Sequence, residues 1–143
     1  AYIVRTAWIY GMHGSNFIRT VLRLTRQNGA MRVVSDQRGS PTWARDLATA
    51  SLRLVEVGLP GTYHLTNAGE CTWYDLARLV VELAQIPAQI EPIATAEYPT
   101  PAQRPPYSVL DNGRWRELGE PPLRDWRDAV AGFVAKLEGA QQA

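Results

Sequence analysis

Chemically useful side chains gather at a few places along the sequence. Trp8 and Tyr10 stand just before a glycine loop, Gly11-Met12-His13-Gly14-Ser15, at the end of a β-rich run. Ligands of open α/β sheets collect beyond the carboxyl ends of the strands, so this loop is placed to meet one. An indole there can cover the face of a sugar or a nicotinamide ring, and it can equally plug an aromatic core. Asn16 opens the next segment, either as a plain N-cap or as a phosphate ligand helped by the helix dipole. Asp36-Gln37-Arg38-Gly39-Ser40-Pro41-Thr42 is dense in hydrogen-bonding groups, which suits a self-satisfied turn or a polar ligand. Arg104 sits among Pro99, Pro101, Pro105 and Pro106, a rigidly presented cation suited to a diphosphate, although lone arginines are commonly solvated or paired.

Other chemistries are missing from the sequence. There is no Gly-x-Gly-x-x-Gly; Gly11-Met12-His13-Gly14 is the nearest spacing, and position 17 is Phe. Neither a P-loop nor a Gly-x-Ser-x-Gly nucleophile turn is present. No tyrosine has a lysine four residues on. Tyr74 has Arg78 there, and a guanidinium does not replace an ammonium in lowering a phenol's proton affinity. His13 and His64 are the only histidines, and His64 reads as a packed strand residue; a metal site with Cys71 is the weaker reading, and no metal is assigned.

The 143 residues are enough for one ordinary domain, with 45% apolar and 20% charged side chains. Net charge is +1 with no block of like charges, which argues against binding of nucleic acid or a membrane surface. Lys136 is the only lysine; every other cationic residue but the two histidines is arginine. A single cysteine excludes an internal disulfide and a multi-thiolate zinc site. No apolar run approaches the roughly 20 residues of a spanning helix. A soluble cytoplasmic protein is the expectation, and the β-rich start at Ala1 suggests a fragment.

The periodicity alternates strand and helix, so the expected fold class is α/β: the C-terminal part of a Rossmann-type parallel sheet plus a small α/β lobe. Tyr2–Tyr10 reads as one strand covered on both faces, which is typical of a parallel sheet. A helix capped by Ser15 or Asn16 follows and is stopped by Asn28-Gly29, then comes a strand at Arg32–Ser35. A second helix spans Trp43–Val57, with Leu47, Ser51, Leu54 and Val55 inward. Gly61–Thr66 reads as a strand able to lie parallel to Tyr2–Thr6 through that helix. Thr72 and Asp75 form a capping box before a stripe of Leu76, Leu79, Val80 and Leu83, ended by Pro87. Ile90–Ile93 reads as an edge strand because Pro92 cannot serve a central ladder. Tyr107–Leu110 reads as a short strand and Asn112–Leu118 as a short helix. The last helix runs from Leu123 or Arg124 to Leu137, with Trp126, Val130, Phe133, Val134 and Leu137 on one face. Gly139 is expected to end it, and residues 140–143 to fray.

Several stretches together carry a resemblance. Val4-Arg5-Thr6-Ala7-Trp8-Ile9-Tyr10-Gly11, Asn16-Phe17, Asp36–Thr42, Tyr98–Asp111 and Pro121–Arg127 occur in this order, and the chain thereby resembles the dTDP-4-dehydrorhamnose reductase family, within the extended short-chain dehydrogenase/reductases. The resemblance covers essentially the whole chain and only the second half of the family's sequence. It implies reduction of the C4 ketone of dTDP-4-dehydro-L-rhamnose to dTDP-L-rhamnose with NADPH or NADH. The family's Tyr-x-x-x-Lys pair and glycine-rich cofactor loop are absent here, so no catalytic residue is carried over and the cofactor would be bound mainly by other sequence. The implied substrate-binding residues are Trp8, Asn16, Asp36, Gln37, Ser40, Pro41 and Arg104; Ala7 and Trp8 would lie near the nicotinamide. Some members dimerise through a magnesium ion, but the matching positions are Arg45 and Arg127, both cationic, so no metal is carried over.

The expected division assigns residues 1–15 and 43–66 to the end of the Rossmann sheet and residues 16–42 and 67–143 to a substrate-binding lobe. The expected partner is a dTDP-sugar, with the oligomeric state open and this fragment inactive alone. Two other readings stand beside this one: a non-catalytic, partner-binding relative of the same superfamily, and a reductase of another nucleotide-sugar ketone.

Overall fold

Two clusters of buried side chains organise the computed structural model, which describes residues 1–142. The larger joins Ile18, Val21 and Leu22 of one helix to Leu76, Ala77 and Val80 of a second and to Val130, Phe133, Val134 and Leu137 of a third. The smaller holds Ala50, Leu54, Tyr63, Leu65 and Trp115, with Tyr2 and Val4 against it.

The strands pair two by two. β1 (Tyr2–Arg5) lies parallel to β6 (Gly61–His64) in the register Tyr2↔Gly61 to Arg5↔His64, as the periodicity predicts. The hydrogen bond from Leu65 N–H to Arg5 O extends this pair one step beyond the regular strand. β3 (Ala30–Val34) lies parallel to β8 (Gln89–Ile93), with Val33 opposite Pro92, and β8 has no second neighbour among the described residues, so its proline costs no ladder bond there. Both β3 and β8 begin ahead of the positions the pattern suggests. Two-residue pairs complete the set: β2 (Ile9–Tyr10) with β5 (Thr42–Trp43), and β4 (Arg38–Gly39) with β7 (Cys71–Thr72), the last antiparallel.

The helices begin and end where local chemistry dictates. α1 (Phe17–Asn28) starts at Asn16, whose side chain accepts from Arg19 N–H, and stops at Gly29 in the left-handed region at φ 69°. α3 (Trp73–Leu83) carries the reciprocal capping box of Thr72 and Asp75. α2 (Ala44–Val57) joins β5 to β6. The short α4 (Gly113–Glu117) buries Trp115, and α5 (Trp126–Gln142) buries the whole expected face from Trp126 to Leu137. α1 packs on α3, and α3 on α5.

Several expectations are corrected. The Tyr2–Tyr10 run is two strands, not one. Trp8 takes φ 50°, a left-handed backbone that L side chains rarely adopt, and past it the chain leaves β6 to pair with β5. The run is not covered on both faces within this chain either: Ile3 is 53% and Ile9 51% exposed. On α2 the buried side chains are Ala50 and Leu54, whereas Val55 points to solvent. Leu83 of α3 is also exposed, and Ala77 and Val81 take the inward places. Residues 107–110 form no strand. Tyr107 makes a single bridge to Arg38, because Pro105 and Pro106 just before it offer no N–H to a ladder. The last helix begins at Trp126, after Asp125 Oδ1 accepts from Arg127 N–H. It also passes through Gly139 to Gln142; that glycine does not take the left-handed conformation of a stop. Ala143 lies outside the described residues.

Candidate functional site

The break at Trp8 sets one wall of a cleft. The Trp8 indole stacks on Trp73, with ring centroids 3.6 Å apart and planes 12° from parallel, and Phe17 meets Trp73 edge-on at 4.8 Å. Gly39 closes on Trp8 as well. A Cβ built there would fall 2.3 Å from Cε2 and 2.6 and 2.7 Å from Cζ2 and Nε1. Only glycine fits at that approach.

Phe17, Gln37, Trp73, Tyr98, Thr100 and Arg104 line this cleft, which has a volume of about 390 Å³. Gln37 is 7% exposed, and its amide is engaged at both ends: Oε1 accepts from Trp73 Nε1–H at 3.2 Å, and Nε2 donates to Thr95 Oγ1 at 3.1 Å. Asp36 accepts from the Thr95 backbone N–H at 3.0 Å and from the Thr95 hydroxyl. The hydrogen bond from that hydroxyl, followed by the backbone bond, holds the Asp36 carboxyl below the usual carboxylate range. Thr95 opens a 3₁₀ turn, Thr95–Glu97, and Tyr98 follows directly. The residues of this turn therefore launch the proline-rich arm that brings Arg104 to the cleft.

The expected site residues divide between this cleft and its surroundings. Gln37 and Arg104 line it. Trp8 backs its wall through Trp73, and Asp36 anchors the Thr95 turn. Asn16 is spent on structure, since it caps α1 and donates from Nδ2 to Gly11 O at 2.9 Å, but in doing so it sets Phe17 at the cleft. Ser40 and Pro41 are buried elsewhere. Ser40 donates to Gly69 O at 2.7 Å and borders a second cleft with Asn67, Glu70, Tyr107 and Asn112. Ala7 lies half-buried between β1 and Trp8. Beside that second cleft, Glu70 accepts from Arg38 Nε at 3.0 Å and from the Tyr107 hydroxyl at 2.8 Å, and those bonds, Tyr107's first, depress its carboxyl.

Trp73 and Thr95 are the participants that the sequence did not single out. Trp73 reads locally as part of a cap, and nothing in its neighbours announces a stack with a residue 65 positions earlier. The described residues hold no group of three or more His, Cys, Asp or Glu side chains able to bind a metal. The Gly11–Gly14 loop lacks the Gly-x-Gly-x-x-Gly spacing, and the Trp8 ring has Trp73 along its face and Gly39 packed closely beside it. No described helix is long and apolar enough to cross a membrane.

Comparison with known proteins bears directly on this cleft. Residues 1–138 match the family model described as RmlD substrate binding domain. The chain is 47% identical over 135 residues to the probable dTDP-4,6-dihydroxy-2-methyloxan-3-one 4-ketoreductase of Streptomyces antibioticus, covering 91% of this chain and 45% of that relative. It is 45% identical over 143 residues to the dTDP-4-dehydrorhamnose reductase of Mycolicibacterium smegmatis, covering 98% of this chain and 44% of that relative. Among solved structures, the dTDP-4-dehydrorhamnose reductase of Bacillus anthracis in complex with NADP superposes with a TM-score of 0.89 at 35% identity, over 94% of this chain and 48% of that one. The chain thus spans about half the length of the curated relatives it matches. The α/β architecture of parallel strand pairs is that of Rossmann-type reductases. Both the cleft and the fold that frames it fall inside the matched residues, and the chain belongs to the RmlD substrate binding domain family.

Proposed function

We propose that this chain is the substrate-binding half of an NAD(P)H-dependent, cytoplasmic reductase that converts dTDP-4-dehydro-L-rhamnose to dTDP-L-rhamnose. The observation that carries the reading is the cleft itself, in which an aromatic wall, a buried amide and an arginine on a proline-stiffened arm converge within the family's substrate-binding segment. A nucleotide sugar asks for these groups: apolar faces for its rings, polar atoms for its edges and a guanidinium for its diphosphate. Arg104 is assigned to the diphosphate, Phe17 and Trp73 to ring packing, and Trp8 to the deoxysugar. Residues 1–15 and 43–66 are assigned to the sheet end, and residues 16–42 and 67–143 to the substrate lobe.

When bound, the reduced nicotinamide supplies hydride to the ketone carbon. The proton for its oxygen is assigned to polypeptide other than this chain, which has no tyrosine with a lysine four residues on. The residues here bind and orient. A second reading, reduction of a different dTDP-linked ketone, is favoured by the 47% identity to the Streptomyces antibioticus relative named above.

Calorimetric titration tests the binding role. The chain should take up dTDP and dTDP-L-rhamnose at one site with affinity in the micromolar range, about −8 kcal/mol, and should not oxidise NADPH with the ketone substrate when alone. Absence of dTDP binding, or turnover by these 143 residues alone, overturns the reading. Tighter binding of another dTDP-sugar than of dTDP-L-rhamnose selects the second reading.

A further inference from the structure

The direction of every hydrogen bond around Gln37 is fixed by its neighbours. An indole N–H only donates, so Trp73 makes Gln37 Oε1 the acceptor and leaves Nε2 to donate to Thr95 Oγ1. An ionised carboxylate only accepts, so the Thr95 hydroxyl donates to Asp36. The result is a one-way chain from indole to carboxylate that joins three segments far apart in sequence: the start of α3, the Asp36–Gly39 loop and the Thr95 turn. Gln37 is the link that both accepts and donates. At 7% exposure it is held away from bulk water, where such bonds are worth most.

We propose that Gln37 is a positioning residue: its amide sets the Trp73 ring, and through it Trp8, in register with the Thr95 turn that launches the Tyr98–Arg104 arm. This rests on the nucleotide-sugar reading and deepens it, because one side chain then fixes both the aromatic and the cationic lining of the same cleft. Gln37→Glu accepts from Trp73 but has no hydrogen for Thr95, whose own is committed to Asp36. Trp73→Phe keeps an aromatic ring at this place and removes the N–H, together with part of the stacking surface. Thr95→Val removes the relay hydroxyl at a half-buried position, and Thr95→Ser retains it.

The test titrates dTDP into the wild-type chain, these four variants and the Gln37→Glu/Trp73→Phe double variant, with far-UV circular dichroism to establish folding. Gln37→Glu, Trp73→Phe and Thr95→Val should each weaken binding about fivefold to tenfold. Thr95→Ser should bind as the wild type does. The double variant should be no weaker than its weaker parent, because both changes break one chain. The near-UV signal of the stacked tryptophans should change in Gln37→Glu and Thr95→Val without added ligand. Additive losses in the double variant, or a near-UV signal untouched by both changes, overturn the positioning role. Weaker binding in Gln37→Glu with none in Trp73→Phe or Thr95→Val makes Gln37 a direct ligand contact instead. A wild-type chain that ignores dTDP while the near-UV changes appear sinks the nucleotide-sugar reading and leaves the positioning of the rings standing.

Discussion

Trp8 and Trp73 stack face to face at 3.6 Å although 65 residues separate them, and Gly39 leaves room for the first ring only because it has no side chain. The strained backbone at Trp8, φ 50°, is stabilised by this packing: the indole gains dispersion contact on its face that a regular strand would not provide. Gly39→Ala places a methyl within 2.3 Å of the ring, so either the indole or the loop must move. The expected loss of stability is about 1–3 kcal/mol, the usual range for overpacking, and dTDP affinity should fall with it. Urea unfolding and titration of the same variant check both effects, and an unchanged midpoint means that the ring relocates freely.

Cys71 is 1% exposed. Burial, then the Asp75 carboxylate, pushes its thiol up to about 12, so almost no thiolate exists near neutral pH. An aromatic disulfide reagent at pH 8 should therefore leave the native chain unlabelled and react with one equivalent once urea has unfolded it. Prompt native labelling would show that the β4–β7 pairing opens readily.

Asp46 gives the fold a handle on pH. Burial pushes its carboxyl up, but hydrogen bonds from Arg124 and Asn67 together outweigh burial and hold it below its ordinary value. A carboxyl depressed in the folded state stabilises the fold above its unfolded pKa of about 4, and that stabilisation is lost as pH falls through the folded value. Asp46→Asn should therefore lower the urea midpoint most at pH 7, and the difference from the wild type should shrink progressively as pH is taken below about 4. A difference that stays equal across that range would remove Asp46 from the acid dependence.

The legible parts of this chain are those where the cause is local. The Trp126–Leu137 stripe and the Thr72–Asp75 box rest on neighbours within one or two helical turns, and each folds as its spacing predicts. The β1–β6 pairing was readable too, because a β-rich run, a helix and a second run leave few arrangements. The break at Trp8 was not, since a tryptophan takes a left-handed backbone only when distant groups stabilise it. Gln37 was visible as one polar residue in a polar loop. Its role depends on partners 36 and 58 positions away, which no local pattern encodes. Ser40 and Pro41 belong to the same motif, yet they are buried away from the cleft that Gln37 lines, with Ser40 bordering the second one, and a local pattern does not separate the two destinations.

Arg104 is where the diphosphate assignment is most exposed to failure. It is exposed, it lines the cleft and it makes no ion pair among the described residues, so its guanidinium has no internal charge to satisfy. Its arm is stiffened by Pro99 and Pro101, by Pro105 and Pro106 directly after it, and by the Thr100 hydroxyl donating to Ala102 O at 2.6 Å, which reduces the entropy lost when a ligand is gripped. A charge-assisted bond to a phosphate is worth about 1.5–3 kcal/mol, so Arg104→Ala should weaken dTDP about tenfold or more. Thymidine has no phosphate and should bind the wild type and the variant equally. Arg104→Lys keeps the charge without the paired donors and should fall between them. Loss of thymidine binding in Arg104→Ala would point instead to a collapsed arm, and equal dTDP binding by all three proteins would leave the guanidinium to solvent.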